Sequence, residues 1–153
     1  MPDAVLNTGA PAGVTSSILL EDAAHAAKAL GDAADRLEGA TVLVSGGAGF
    51  LGAAMVDVLV HLNKHRFKRP ARAVVVDNFV TGVPARLQAL ATDPNVEMIS
   101  ADISKDVAIN VDFQYAIHAA GIASPIIYRA KPLQTADVNV WGLRRMLELA
   151  RAQ

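Results

Sequence analysis

The most constraining feature of this sequence is its glycine-rich segment, Ser45-Gly46-Gly47-Ala48-Gly49-Phe50-Leu51-Gly52, which directly follows a short apolar run at 41–44. Two glycine spacings are satisfied at once, G-x-G-x-x-G from Gly47 and G-x-x-G-x-x-G from Gly46. Glycines there permit a tight turn, close approach of the backbone to a pyrophosphate, and close packing of helix on strand. Because the segment links a strand to a helix, it predicts a dinucleotide-binding turn. A tight turn without a ligand is the alternative.

Short apolar runs alternate with helical patterns along the rest of the chain. The patterns predict strands at 41–44, 73–76, 96–100 and 115–119, and helices at 52–62, 84–91 and 133–152. The last helix has an apolar face formed by Leu133, Val140, Leu143, Leu147 and Ala150. Such alternation implies parallel strands joined by right-handed crossovers. We therefore predict an α/β fold, a Rossmann-like doubly wound parallel sheet that is incomplete at about four strands.

The first 39 residues form a separate predicted unit. Residues 1–16 are small and polar and predict a flexible leader. An alanine-rich helix follows from Leu20 to Leu37, weakened at Gly31 and ended by Gly39. We expect it to be an accessory helix packed on residues 40–153, the N-terminal part of a Rossmann domain; a partner-binding helix is the alternative.

Asp77 stands at the end of the second predicted strand. An acid at this place accepts hydrogen bonds from the adenosine ribose hydroxyls and repels a 2′-phosphate, so NAD is favoured over NADP as cofactor. Its separation from Gly52 exceeds the usual spacing of about 20 residues. The basic segment 63–72, predicted as a solvated loop, accounts for the excess, and its arginines keep NADP as the alternative.

Two further motifs follow strands three and four. Asp102-Ile103 comes just after the third strand, where an acid lies near the cofactor crevice or caps a turn. His118-Ala119-Ala120-Gly121 follows the fourth, and its small residues leave room for a flat cofactor. We expect His118 to pack structurally rather than to act as a catalyst. The four histidines show no metal-ligand spacing, so no metal site is expected.

Composition excludes several classes of partner. The net charge of −1 lacks the basic character of a nucleic-acid-binding domain. Residues 39–56 carry no charge, but the glycines interrupt them, so a membrane span is not expected. The N-terminus has no basic region followed by an apolar core, and the chain has no cysteine. We therefore expect a cytoplasmic protein.

Together these motifs resemble the NAD-dependent epimerase/dehydratase family of extended short-chain dehydrogenases/reductases. The glycine segment is similar to T-G-G-x-G-F-x-G, with Ser45 replacing threonine, and residues 77–82 resemble D-N-x-x-T-G. Asp102-Ile103 matches the pair that lies by the adenine, and the resemblance covers residues 40–152. It implies NAD as cofactor. The cofactor-binding residues that it implies are Gly46, Gly49, Phe50, Leu51, Gly52, Asp77, Asn78, Phe79, Thr81, Gly82, Asp102, Ile103, Ala119, Ala120 and Gly121.

A narrower likeness lies between Ala123 and Gly142, whose spacing A-S-P-x-x-Y-x-x-x-P-x-x-T-x-x-x-N-x-x-G resembles UDP-glucuronate decarboxylases. Those enzymes usually carry Lys-Thr where this chain has Asp137-Val138. The resemblance implies a nucleotide-sugar substrate, a transient 4-keto sugar, and Ser124, Tyr128 and Asn139 on the substrate side. Another nucleotide-sugar epimerase or 4,6-dehydratase is an alternative, as is a non-catalytic NAD-binding or interaction module.

The proton-transfer residues of the family are a Tyr-x-x-x-Lys pair, which this sequence lacks. Tyr115 is followed four residues later by Ala119, and Tyr128 by Pro132. We therefore expect no catalytic residue among these 153 residues and no activity of the chain alone. Because a dinucleotide fold has about six strands, we expect the chain to be the N-terminal part of a longer enzyme. The resemblance implies that the full-length form is a homodimer.

Overall fold

A computed structural model describes residues 17–80 and 89–153 of the chain, which form a four-stranded sheet within these ranges. The strands are β1 (Thr41–Ser45), β2 (Arg72–Asp77), β3 (Val96–Ser100) and β4 (Tyr115–His118). All are parallel, in the order β3-β2-β1-β4. The predicted Rossmann-like α/β class is confirmed. The strand order changes direction at β1: β2 and β3 lie on one side of it and β4 on the other. The connections that follow β1 and β4 therefore diverge, and a crevice opens at the carboxyl ends of these two strands.

Both faces of the sheet are covered, which explains the unbroken apolar runs of β1 and β2. On one face, Val42 and Val44 pack with Val56 and Leu59. On the other, Leu43 and the second strand pack against residues of the C-terminal half. The members of that second cluster are Leu43, Val74, Val76, Ile103, Ile109, Phe113 and Met146.

The N-terminal helical segment is two elements rather than one. Helix α1 (Ser17–Leu30) is followed by a 3₁₀ helix (Gly31–Leu37), and Gly31 at the junction has φ +53°. That conformation interrupts the α-helical ladder, so the single predicted helix is wrong in this respect. Arg66 anchors the segment, since its Nε donates to Asp35 Oδ1 at 2.7 Å and its Nη1 to the Gly31 carbonyl at 2.7 Å. The division of the chain at residue 39 stays a prediction.

Helix α2 (Phe50–His65) begins two residues before the predicted helix and ends three residues after it. The segment 63–72 is therefore only partly a loop. Phe67 is buried in the core, and the Asn63 side chain both donates to the Ala71 carbonyl (2.8 Å) and accepts from the Ala71 N–H (2.7 Å). An aromatic side chain and one amide thus fold this basic segment back onto the domain, and the prediction of a solvated loop is wrong for Phe67.

The C-terminal region is helical from Pro125 onward. Helices α3 (Pro125–Ala130) and α4 (Pro132–Asp137) each have a proline at their first position, where its missing N–H costs nothing. A π-helical turn (Val138–Gly142) joins α4 to α5 (Leu143–Arg151). These last three elements form one continuous helical stretch, 132–151, so the helix predicted at 133–152 is interrupted by the π-helical turn.

The predicted apolar face of this last helix does not face the sheet. Gly142 and Met146 are the residues it buries, while the five apolar residues predicted to form its inner face are all exposed. Because Gly142 has no side chain, the helix lies close to the sheet there, and the side chains of His118 and Ile103 pack against it. Most of the helix predicted at 84–91 lies outside the described residues. Within 17–80 and 89–153, no helix combines the length and apolarity needed to cross a membrane.

Candidate functional site

The turn between β1 and α2 is shaped by glycines that no other residue can replace. Gly46 has φ +72°, and a Cβ built on it would lie 2.4 Å from the Ala120 Cα and N. A Cβ on Gly52 would lie 2.2 Å from the Gly46 carbonyl oxygen. Gly46 allows the turn to contact the backbone that follows β4, and Gly52 allows the first turn of α2 to pack against the glycine turn. Both close approaches require the absence of a side chain.

The start of α2 offers backbone donors to an anion. Gly49 N–H donates to the Gly46 carbonyl at 3.0 Å, and Ala53 N–H donates to the Gly49 carbonyl at 2.9 Å. The N–H groups of Phe50, Leu51 and Gly52 precede that first helical bond, so the helix itself gives them no acceptor. No acidic residue occupies the first turn. The helix dipole and these donors together favour a phosphate at this position.

Asp77 fastens the turn to the end of β2. Its Oδ2 accepts a hydrogen bond from the Ala48 N–H at 2.9 Å, and its Oδ1 accepts one from the Phe79 N–H at 2.8 Å. Phe79 is in the left-handed region at φ +55°, which the bond to Asp77 helps to hold. Each carboxylate oxygen keeps a second lone pair for a ligand. Asp77 therefore orders the glycine turn and can also accept hydrogen bonds from a ligand.

A cavity of about 230 Å³ opens at the carboxyl ends of the strands. Gly46 and Gly49 line it in the middle, with Asp77 and Asn78 beside them. One further wall is the loop 101–105 after β3, another is 119–122 after β4, and a third comes from the 131–138 segment. This is the position at which open α/β sheets bind dinucleotides.

Nine of the predicted cofactor-binding residues line this cavity together. They are Gly46, Gly49, Asp77, Asn78, Asp102, Ile103, Ala119, Ala120 and Gly121. Four others do not line it: Phe50 and Leu51 have exposed side chains, Gly52 packs beneath the turn, and Phe79 contributes its N–H to Asp77. Thr81 and Gly82 lie outside the described residues.

The three substrate-side candidates also lie outside the cavity wall. Asn139 Nδ2 donates to the Thr135 carbonyl at 2.9 Å, and its Oδ1 faces Gly121. Ser124 precedes α3 without capping it through its side chain, and Tyr128 sits in α3, partly exposed. Their assignment to the substrate side remains a prediction.

His118 is a structural contact between strands. Its Nδ1 lies 2.7 Å from the Oγ of the fully buried Ser45, its partner in the β1–β4 register. Its Nε2 is buried beside Gly142 and has no hydrogen-bond partner among the described residues. The imidazole thus packs between the end of the sheet and the π-helical turn, away from the cavity lining.

Sequence reasoning missed the wall formed by α4 and the residues around it. Lys131, Gln134, Asp137 and Val138 line the cavity, as do Ser104 and Lys105 on the facing loop. Lys131, Gln134 and Val138 recur at helical spacing, but the helix predicted at 133–152 was given no part in the site. The lining carries three carboxylates and two ammonium groups, the latter from Lys105 and Lys131. Neither ammonium has an ion pair within 17–80 and 89–153.

The fold and this cleft define a dinucleotide-binding protein of the doubly wound α/β class. The family model of the NAD dependent epimerase/dehydratase family matches residues 42–153, and the chain belongs to that family. NAD is the cofactor of the family, and the cradle closed by Gly46 and Gly52 has the shape and backbone donors that a pyrophosphate requires. The predicted family and cofactor are confirmed.

Two relatives illustrate the sequence similarity. The chain is 39% identical over 110 residues to UDP-glucuronic acid decarboxylase 3 of Arabidopsis thaliana, covering 72% of this chain and 30% of that protein. It is 36% identical over 110 residues to UDP-glucuronic acid decarboxylase 1 of Danio rerio, covering 72% and 24%. The chain thus spans less than a third of the length of these relatives.

Solved structures share the fold. DesIV, a dTDP-glucose 4,6-dehydratase from Streptomyces venezuelae with NAD and TYD bound, superposes with a TM-score of 0.58 at 24% identity. The match covers 72% of this chain and 35% of that one. The UDP-Glc/GlcNAc 4-epimerase of Campylobacter jejuni gives a TM-score of 0.51 at 21% identity, covering 72% and 33%.

Proposed function

We propose that this chain is the NAD-binding part of an enzyme that modifies nucleotide sugars, with UDP-glucuronate decarboxylation as the leading reaction. The observation that carries the proposal is the joint arrangement of the glycine cradle and Asp77. The same acid that can accept hydrogen bonds from a ribose also orders the turn that receives the phosphates. Similarity to two UDP-glucuronic acid decarboxylases supports the substrate class.

In this proposal each cavity wall holds one part of NAD. The N–H groups at the start of α2 bind the pyrophosphate, and Asp77 binds the adenosine ribose. Asp102 and Ile103 lie at the adenine end, and the small residues Ala119–Gly121 leave room for the nicotinamide half. When bound, NAD would supply the hydride acceptor: the carbon that bears a sugar hydroxyl would lose a hydride to it and the hydroxyl would lose its proton to a base, and the resulting ketone would permit loss of the neighbouring carboxylate as CO₂. Return of the hydride would leave NAD unchanged over the cycle.

The test uses the protein as its cell makes it, incubated with UDP-glucuronate and NAD. We expect release of CO₂ and a nucleotide pentose, detected by proton NMR. A product from UDP-glucose or dTDP-glucose, with none from UDP-glucuronate, would instead favour an epimerase or 4,6-dehydratase. NAD binding without turnover of any of these substrates would favour the non-catalytic module.

We also propose that the protein forms a homodimer through an exposed apolar stripe on the helix 132–151. The stripe residues alternate at spacings of three and four, the a/d pattern of helices that pack against another helix, and all are exposed. They are Leu133, Ala136, Val140, Leu143, Leu147 and Ala150. In an antiparallel pairing of two copies, Leu133 faces Ala150 and Leu147 faces Ala136, while Val140 faces Leu143 next to the twofold axis.

Sedimentation tests this dimer. We expect the wild-type chain to sediment at twice its mass of 16.0 kDa. Leu143→Glu puts two like charges near the twofold axis and should return the monomer. Leu20→Glu changes a leucine on α1 that is also exposed, and it should leave the dimer intact. A wild-type monomer, or equal behaviour of the two variants, would contradict the interface.

We further propose a cytoplasmic location, which the absence of cysteine supports, and no nucleic-acid partner.

A further inference from the structure

The loop between β3 and β4 (101–114) forms one wall of the cavity and has no helix or strand of its own. Its first five residues line the cavity, and Asp102 orders them by accepting hydrogen bonds from the Ser104 N–H (2.9 Å) and hydroxyl (2.6 Å). Farther along, Ile109 is buried in an apolar cluster. The stretch between these two anchors, 105–108, is exposed or half-buried. Hydrogen bonds to another element therefore decide how firmly it is held.

Arg145, on α5, makes the contact that holds this stretch. Its Nη2 donates a hydrogen bond to the Val107 carbonyl at 2.8 Å and lies 3.4 Å from the Asp106 carboxylate. Its Nη1 lies 3.8 Å from Glu148 Oε2, almost one turn farther along the same helix. In the part of the chain that the structure describes, no other side chain from outside the loop donates a hydrogen bond to residues 105–108. The guanidinium therefore ties the loop to the helix.

This arginine is a poor choice for stability alone. Its side chain is only 25% exposed, and its Nε is buried with no hydrogen-bond partner within 17–80 and 89–153. A buried donor left unpaired is unfavourable, and an apolar side chain often replaces a buried charge without loss of stability. The carboxylate of Asp106 offsets little of this, because its side chain is 96% exposed. We therefore expect methionine to be tolerated in place of Arg145, so the arginine has a role besides stabilising the fold.

We propose that Arg145 is a positioning residue for NAD binding, and that its hydrogen bond to the Val107 carbonyl keeps the β3–β4 loop in the arrangement that receives the cofactor. Arg145 itself lies outside the cavity lining, so it acts through the loop. A loop that is ordered before binding does not have to be ordered by the cofactor, and this raises affinity without a new contact. The proposal rests on the proposed function, since it takes NAD to occupy the cavity.

Calorimetric titration and urea unfolding of the purified chain test this proposal. Arg145→Met removes the donors and keeps an unbranched side chain. It should weaken NAD binding by about tenfold, the factor that one hydrogen bond from a charged group contributes. Its free energy of unfolding should stay close to that of the wild type. Arg145→Lys keeps a charged donor without the planar fork, so its NAD affinity should lie between those of the wild type and Arg145→Met.

Arg144→Met is the matched control. Arg144 precedes Arg145 on the same helix and its Nε lies 2.9 Å from the carboxylate of the same Glu148, but it forms no hydrogen bond or ion pair with the described residues of the loop. Both variants remove one positive charge, so any general attraction for an anionic cofactor falls equally. Arg144→Met should bind NAD within about twofold of the wild type. Asp106→Asn removes the exposed ion pair, leaves the bond to Val107, and should also stay within about twofold.

Hydrogen exchange gives a readout that a change in overall stability would not reproduce. In Arg145→Met, the amides of residues 104–108 should exchange faster, whereas those of β1 and α2 should keep their wild-type rates. The proposal alone is overturned if the wild type binds NAD and Arg145→Met binds it as tightly as Arg144→Met does, or if affinity falls without faster exchange in the loop. A wild-type chain that does not bind NAD would refute the cofactor assignment itself, and this proposal with it.

Discussion

Replacing Asp77 by alanine removes both roles of its carboxylate, ordering the glycine turn and accepting hydrogen bonds from NAD. The change removes the acceptors of the Ala48 and Phe79 N–H groups, which lie at 2.9 and 2.8 Å. A hydrogen bond to a charged group contributes about 1.5–3 kcal/mol to stability. Because Asp77 is only half-buried, we take the lower end for each bond and expect a loss of about 3 kcal/mol in the free energy of unfolding. For a domain of this size, Tm should fall by about 6–12 °C.

The same variant should weaken NAD binding by at least about tenfold, because the ribose hydroxyls lose a charged acceptor. Asp77→Asn tells the two roles apart. The amide keeps one acceptor oxygen for an N–H of the turn, so it should recover part of the stability. It carries no charge to repel a 2′-phosphate, so its preference for NAD over NADP should narrow.

Urea unfolding and calorimetric titration measure both quantities on the same preparations. Asp93→Ala is the control, since Asp93 Oδ1 also accepts a backbone N–H, from Asn95 at 2.9 Å, in a turn that does not line the cavity. It should lose stability without losing NAD affinity. The reasoning is refuted if Asp77→Ala unfolds no more easily than Asp93→Ala, or if it binds NAD within a factor of ten of the wild type.

Two further predictions concern the turn and α2. Gly46→Ala should destabilise the chain by at least about 3 kcal/mol, because its Cβ meets the Ala120 backbone at 2.4 Å. In the same urea assay Gly31→Ala, with φ +53° and nothing within 4 Å, should cost only the roughly 1–2 kcal/mol of a left-handed residue; equal losses would contradict the clash. Burial lowers the pKa of His61, and His65 and Lys64 lower it further. The folded state therefore binds this proton less readily than the unfolded state, and stability falls as pH drops below about 6.5. Between about pH 7.5 and 5.5, the Tm of His61→Gln should therefore fall less than the Tm of the wild type. His25→Gln is the control and should behave like the wild type; an equal fall in Tm in all three proteins would refute this prediction.

The parts of the fold that follow from local pattern could be predicted. The β-branched runs specify strands buried on both faces, and the glycine spacing after the first run specifies a turn that a dinucleotide fold uses. Asp77 was placed at the end of β2 because a strand end is marked by the change from apolar to polar residues. These are properties of neighbouring residues, so the sequence alone carries them.

Features decided by tertiary contacts could not be predicted in this way. Phe67 was predicted to lie in a solvated loop. It is buried because two hydrogen bonds between the Asn63 side chain and the Ala71 backbone hold the segment against the domain. Helix α3 was not predicted, although Pro125 and Pro132 each stand at a first helical position, where proline is favoured. The apolar stripe of the last helix pointed to a buried face, but the small Gly142 sets the contact with the sheet and turns the stripe outward.

The outward stripe and the cavity wall belong to the same helix, and this has a consequence for function. Leu133, Val140 and Leu147 face away from the domain, while Val138 and Gly142 face Ile103 and the sheet. A partner packed on the stripe would therefore fix the rotation of the helix about its axis. That rotation determines how Gln134 and Asp137 line the cavity, so dimer formation and NAD binding should be coupled. The monomeric Leu143→Glu variant should then bind NAD more weakly, while Leu20→Glu keeps wild-type affinity; equal affinities would separate the two properties.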